Sequence, residues 1–150
     1  MAISEQIQSD LVSAMKARDA DAVATLRLII AAIQNARVAE GHSGEVTDQE
    51  TLELLNREAK RRNEAATTYD AAGRDELAAK ERRELEIIRR YLPRQLSADE
   101  LRAIVDDTVA RVGASGPSDL GRVMGALMPQ VKGLADGRQV NALVRLRLGA

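Results

Sequence analysis

No cysteine, phenylalanine or tryptophan occurs in this chain of 150 residues, and His42 is its single histidine. Without thiols there is no disulfide, no cysteine nucleophile and no thiolate-based zinc or iron–sulfur site. Aromatic surface comes only from Tyr69 and Tyr91. The core must therefore be aliphatic, and reading single-stranded RNA by stacking its bases on aromatic rings is nearly excluded. That leaves backbone and shape as the means of any RNA contact. Long apolar runs are also missing: no segment approaches the roughly 18 residues of a membrane span. The opening Met-Ala-Ile-Ser-Glu has neither the basic start nor the apolar stretch of a signal peptide. The expectation is a cytoplasmic protein with no membrane partner.

What is present is 45% hydrophobic and 30% charged, with a net charge of -1. These are the proportions of a soluble globular protein, long enough for one domain or two small ones. Ile3, Ile7, Leu11 and Met15 recur every four residues, which predicts an amphipathic helix ending near Arg18. A second helix is expected from about Asp21 on Val23, Leu26, Ile30 and Ile33, closed by Gly41 and Gly44. Thr47-Asp48-Gln49-Glu50 has the spacing of a capping box and opens a third, with Leu52, Leu55, Ala59, Ala66 and Tyr69 on its apolar side. Gly73 is placed to end that helix. A fourth runs from about Asp75 through Leu77, Leu85, Ile88 and Leu92 and stops before Pro93. Two long charged helices joined by one short turn make an antiparallel hairpin.

After Pro93 the charge density falls while glycine and proline rise. The predicted domain boundary lies at Pro93–Leu96, giving domains of residues 1–92 and 97–150. Ser97-Ala98-Asp99-Glu100 is a second capping box, opening a helix on Leu101, Ile104, Val105, Thr108 and Val112 that Gly113 stops. Another helix is expected from near Ser118 to near Val131. The last starts at Asp136, with Val140, Leu143, Val144 and Leu148 inward. Strand alternation is absent, so the predicted fold class is all-α: an N-terminal four-helix domain with a long charged hairpin, then a C-terminal three-helix domain.

Positive charge collects near the end of the chain. From Leu120 onward Arg122, Lys132, Arg138, Arg145 and Arg147 face a single acid, Asp136. Cations at a helix start add to the unpaired amides and dipole there, which favours anions. Gly133 and Gly137 would let a backbone approach closely, Lys132 and Arg138 would hold phosphates, and Asn141, on the face of Arg138, would either hydrogen-bond a ribose or base or brace the preceding loop. Asp136 is read as a helix cap, worth about 1 kcal/mol. Arg122 is read as a solvent-facing RNA contact, and the neighbouring Gly121 and Gly125 as a groove that permits close helix packing, the favoured use, or close approach of an RNA backbone. The hairpin cations Lys60-Arg61-Arg62, Arg82-Arg83 and Arg89-Arg90 interleave with Glu58, Glu64, Glu81, Glu84 and Glu86, and are read as solvated faces. His42 is read as a loop residue. Asp106 and Asp107, adjacent in sequence, point to different faces and make a poor acid/base pair.

Leu26–Ile29, Leu55–Glu58, Tyr91-Leu92-Pro93-Arg94-Gln95-Leu96, Gly121–Pro129 and Ala135-Asp136-Gly137-Arg138 with Val140-Asn141 appear in an order that resembles the GatB/YqeY family over essentially the whole chain. The resemblance implies an all-helical protein whose C-terminal part is similar to the tail of the B subunit of the tRNA-dependent amidotransferase. In that family the tail contacts tRNA, and the chemistry resides elsewhere. It implies a non-catalytic tRNA-binding accessory protein with no catalytic residue, metal or cofactor. The RNA-binding residues would be Lys132, Gly133, Gly137, Arg138, Asn141, Arg122 and Arg145. A translation-related protein is a further expected partner. The chain departs from the family pattern at Leu134, where a basic residue is common.

Two other functions fit the sequence. The N-terminal domain, with 14 basic and 17 acidic residues in residues 1–92, could serve as a protein–protein adaptor. Alternatively the chain could assist a glutamine-dependent amidotransferase, as an inherited carbon–nitrogen ligase name would suggest. It carries no cysteine nucleophile, no Ser-Ser-Lys-type glutaminase constellation and no Gly-x-x-x-x-Gly-Lys loop for ATP.

Overall fold

The computed structural model describes residues 1–149. Among them are seven α-helices and no strand: α1 (Ile3–Lys16), α2 (Ala20–Arg37), α3 (Asp48–Ala71), α4 (Asp75–Arg89), α5 (Ala98–Val112), α6 (Leu120–Val131) and α7 (Gly137–Leu148). A 3-10 turn, Pro117–Asp119, precedes α6. The all-α class holds. The chain forms two compact units, Met1–Leu92 and a second from Pro93 onward.

The capping residues set the helix starts. Thr47 Oγ1 accepts the Glu50 amide while Glu50 accepts the Thr47 amide, and Ser97 and Glu100 repeat the exchange at α5. Asp19 caps α2 by accepting the Ala22 amide. At the other end of α5, Gly113 adopts φ +68°, a left-handed conformation that a Cβ would oppose.

In the N-terminal unit α3 and α4 form the expected hairpin, and α1 and α2 a second one across their base. Ile7, Leu26, Ile29, Leu55 and Ile88 are almost completely enclosed. Met15 and Leu77, expected inward, are instead 49% and 41% exposed. The reason is helical drift. Steps of four residues advance about 40° beyond a full turn, so a ridge starting at Ile3 has left the buried face by Met15. Ala14, half-buried, stands in its place. On α4 the same geometry carries the buried stripe from Leu85 back to Ala78, seven residues away, and past Leu77.

The hairpin corrects a second expectation. Arg62 is only 6% exposed and Glu84 8%, so neither belongs to a solvated face. Arg62 Nε donates to Glu84 across the hairpin at 3.1 Å, and its Nη1 donates to the Glu58 carboxylate at 2.6 Å. Position 62 is seven residues from Leu55 and four from Ala66, inside the inward stripe of α3.

The C-terminal unit is regular. Leu101, Val105 and Val109 on α5, Val123, Leu127 and Val131 on α6, and Val140, Val144 and Leu148 on α7 make its core, three residues four apart from each helix. Ridges of this spacing interlock between helices, and each buried side chain contributes roughly 1.5–3 kcal/mol.

Thr25 is fully buried on α2, yet its hydroxyl has no hydrogen-bond partner. An unsatisfied buried hydroxyl costs about 1–3 kcal/mol. Thr25→Val, which keeps the volume, is expected to stabilise the N-terminal unit by about 1 kcal/mol, read as a higher urea midpoint with unchanged slope.

Candidate nucleic-acid interface

The turn Lys132–Asp136 joins α6 to α7. Gly133 takes φ +79°, which reverses the chain after Lys132. Asp136 Oδ1 accepts the Arg138 amide at 2.9 Å, fixing the start of α7 as expected of a cap. Because Val140, Val144 and Leu148 are buried, the opposite side of α7 faces out. Arg138 and Arg145 lie there, seven residues apart, so they point within about 20° of each other and stand about 10 Å apart along the axis. Asn141, half-buried, holds Arg145 by accepting its Nε–H at 2.7 Å. It braces that guanidinium, a use the sequence did not suggest. Gly137 is exposed, and a Cβ built there would meet nothing within 4 Å.

Arg122 is exposed but lies ten residues before Lys132 on α6, about 15 Å along the helix. Since α7 also touches the 3-10 turn that begins α6, Arg122 belongs to the opposite end of the helix pair, the end of Arg145. It pairs with Asp119 at 3.1 Å. Asp119 is held below the usual carboxylate range by the Ser115 amide first, with further contributions from the Gly116 amide and Arg122. Gly121 and Gly125 do not pack against another helix. Both are exposed, and a Cβ on either would meet nothing within 4 Å. The packing role expected for them is overturned, because α6 buries its Val123, Leu127 and Val131 face and leaves the glycine face bare.

The electrostatics of this unit are decided by who pairs with whom. Arg94 pairs with Glu100, Arg102 with Asp99, Arg111 with Asp107, Arg122 with Asp119 and Arg147 with Asp106. Its remaining acid, Asp136, caps α7. Of its eight cations, only Lys132, Arg138 and Arg145 have no carboxylate partner among the described residues, and all three lie on the α6–α7 turn and outer α7. Asp106 and Asp107 engage arginines on different elements, in keeping with their divergent directions.

Sequence reasoning missed the segment Arg94–Leu96. The Leu96 amide donates to the Leu134 carbonyl at 2.8 Å, and Gln95 Nε2 to the Gly133 carbonyl at 2.9 Å. The chain entering this unit therefore buttresses the turn from beneath. The Tyr91–Leu96 motif was the available signal, but nothing in its spacing says which loop it supports. Arg94 makes a bidentate pair with Glu100, at 2.9 and 2.7 Å. His42 is a half-buried loop residue whose Nε2 meets Glu50 at 3.1 Å. No helix among the described residues is long and apolar enough to cross a membrane, and no group of three or more His, Cys, Asp or Glu is placed to hold a metal.

A family profile described as Yqey-like protein matches residues 4–148. The chain is 30% identical to an uncharacterized protein of Schizosaccharomyces pombe over 61% of its own length and 72% of the relative's. It is 27% identical to the altered inheritance of mitochondria protein 41, mitochondrial, of Pyrenophora tritici-repentis, over 97% of its own length and 80% of that protein's.

Arg94 first, and then the Ser97 amide and hydroxyl, hold Glu100 down to about 2. A carboxylate depressed in the folded state supports stability above its unfolded value near 4.5 and loses that support as pH falls toward 2. Thermal unfolding between pH 5 and 2 is expected to show this loss, and Glu100→Gln to flatten that limb of the profile.

Proposed function

The chain belongs to the Yqey-like protein family, and from that premise we propose that it is a non-catalytic tRNA-binding accessory protein whose C-terminal unit holds the RNA backbone. One observation carries this reading: the three cations of that unit left without carboxylates lie on one turn and the helix it opens, Lys132 and Arg138 at the turn and Arg145 about two helical turns along α7. Ion-paired arginines have already spent their charge, whereas Lys132, Arg138 and Arg145 are free to meet phosphates. Gly133 and Gly137 keep the turn low beside them. The bare Gly121–Gly125 face of α6 supports the reading independently. Glycine inside a helix costs roughly 0.5–1 kcal/mol relative to alanine, and no packing within the molecule accounts for that cost. A backbone that comes close to α6 does account for it. Leu134 supplies no charge to the turn, so the contact is a small one.

With three phosphates neutralised, log affinity for tRNA should fall against log salt with a slope of about -2 to -3. Lys132→Ala with Arg138→Ala should weaken low-salt binding and remove roughly half or more of that slope. Fluorescence anisotropy of labelled tRNA at several salt concentrations measures both; absence of low-salt binding, or indifference to the double substitution, refutes the reading. Gly121→Ala with Gly125→Ala is expected to raise folding stability by roughly 0.5–1 kcal/mol per site while lowering tRNA affinity. A gain in stability with unchanged affinity would remove α6 from the interface.

A further inference from the structure

We propose that Gln95 is a positioning residue for the RNA contact: its carboxamide pins the peptide after Gly133 and so fixes the spacing at which Lys132 and Arg138 meet phosphates. This role rests on the tRNA-binding reading above and deepens it. Gly133, at φ +79°, is the residue that reverses the chain between those two cations. Glycine adopts positive and negative φ about equally readily. It permits the reversal without holding it, and something else has to hold it.

Within the C-terminal unit Gln95 Nε2 donates to the Gly133 carbonyl at 2.9 Å and to the Pro93 carbonyl at 3.2 Å. A carboxamide nitrogen carries two hydrogens, and two backbone acceptors use both. A carboxylate in the same place would face two carbonyl oxygens and be repelled. The amide of that same peptide, on Leu134, donates to the Val131 carbonyl at 2.8 Å. The peptide between Gly133 and Leu134 is therefore tied at both ends, its amide to α6 and its carbonyl to Gln95.

Holding the turn and holding the fold are separable here. Gln95 is exposed, so replacing it opens no cavity in the core of α5, α6 and α7. The Leu96 amide still donates to the Leu134 carbonyl, a backbone bond that no side chain at position 95 affects. What is lost is the tie on the Gly133 carbonyl. That group then turns with the glycine, and Lys132 and Arg138 lose their fixed separation. Two cations that must be ordered on binding hold phosphate less tightly than two already in place. Gln95 is neutral, so the number of phosphates neutralised does not change with it.

The test compares the full chain with Gln95→Met, which keeps the length of the side chain and removes its donors, by anisotropy of labelled tRNA over a range of salt. Gln95→Met is expected to bind about three- to tenfold more weakly, the worth of one hydrogen bond. Its slope of log affinity against log salt should match the wild type, whereas Lys132→Ala with Arg138→Ala lowers that slope. In the isotope-labelled chain the Gly133 carbonyl carbon and the Leu134 amide should shift, while the core methyls of Val123, Leu127 and Val144 stay in place. Binding that depends on Lys132 and Arg138 yet is unchanged in Gln95→Met overturns the positioning role alone. Weaker binding with an altered slope, or with displaced core methyls, overturns it too. No low-salt binding by the wild type, or indifference to the double substitution, removes the tRNA-binding reading and this role with it.

Discussion

Both cores of this chain have to be built almost wholly from aliphatic side chains. Two tyrosines are all the aromatic surface it owns, so neither core can rest on one large ring filling an irregular gap. The solution in both units is repetition. Leucine, isoleucine and valine recur at spacings of three, four and seven, and the helices approach closely along those ridges. A helix that buries one such stripe leaves the rest of its circumference to solvent. In the C-terminal unit this is what turns the glycine face of α6 and the arginine face of α7 outward.

Charge then divides into two kinds. Most is spent inside the molecule, where i,i+3 and i,i+4 pairs and a few longer bridges neutralise arginines in place. Exposed pairs of this kind add little stability, of the order of 0–1 kcal/mol each. Their larger effect is subtraction, since an arginine already facing a carboxylate is a poor magnet for anything else. The buried triad Glu58–Arg62–Glu84 is a different case. Breaking it by removing one partner would strand a charge out of water, so it fixes the register of α3 against α4 more than it adds net stability.

Much of the fold was legible because its punctuation is chemical. Thr47 with Glu50, Ser97 with Glu100, and Asp136 announce helix starts by the amides they take, and Gly113 announces an end by the conformation it permits. Two of the misreadings, Met15 and Leu77, share one physical cause. Helical periodicity is not an integer, so an apolar ridge at every fourth residue drifts off the buried side, and Met15 and Leu77 drift with it. Arg62 shows the reverse: its charge suggested solvent, while its distance from Leu55 and Ala66 put it inside. In the candidate interface, the placing of Lys132, Gly133, Gly137, Arg138 and Arg145 on one turn and the helix after it was legible from residue type and position. Which of the cations would be neutralised depends on contacts such as Arg147 with Asp106, 41 residues apart, and no local pattern contains those. The buttress of Gln95 and Leu96 under the turn was hidden for the same reason.

Both tyrosines lie in the N-terminal unit, where the Tyr91 hydroxyl donates to Asp10 at 2.5 Å and burial pushes its ionisation well above the ordinary phenol range. The C-terminal unit has no aromatic residue at all. Its near-ultraviolet silence means that intrinsic emission follows only the first 92 residues, and that a single tryptophan introduced on α5, α6 or α7 would watch the other unit against a dark background.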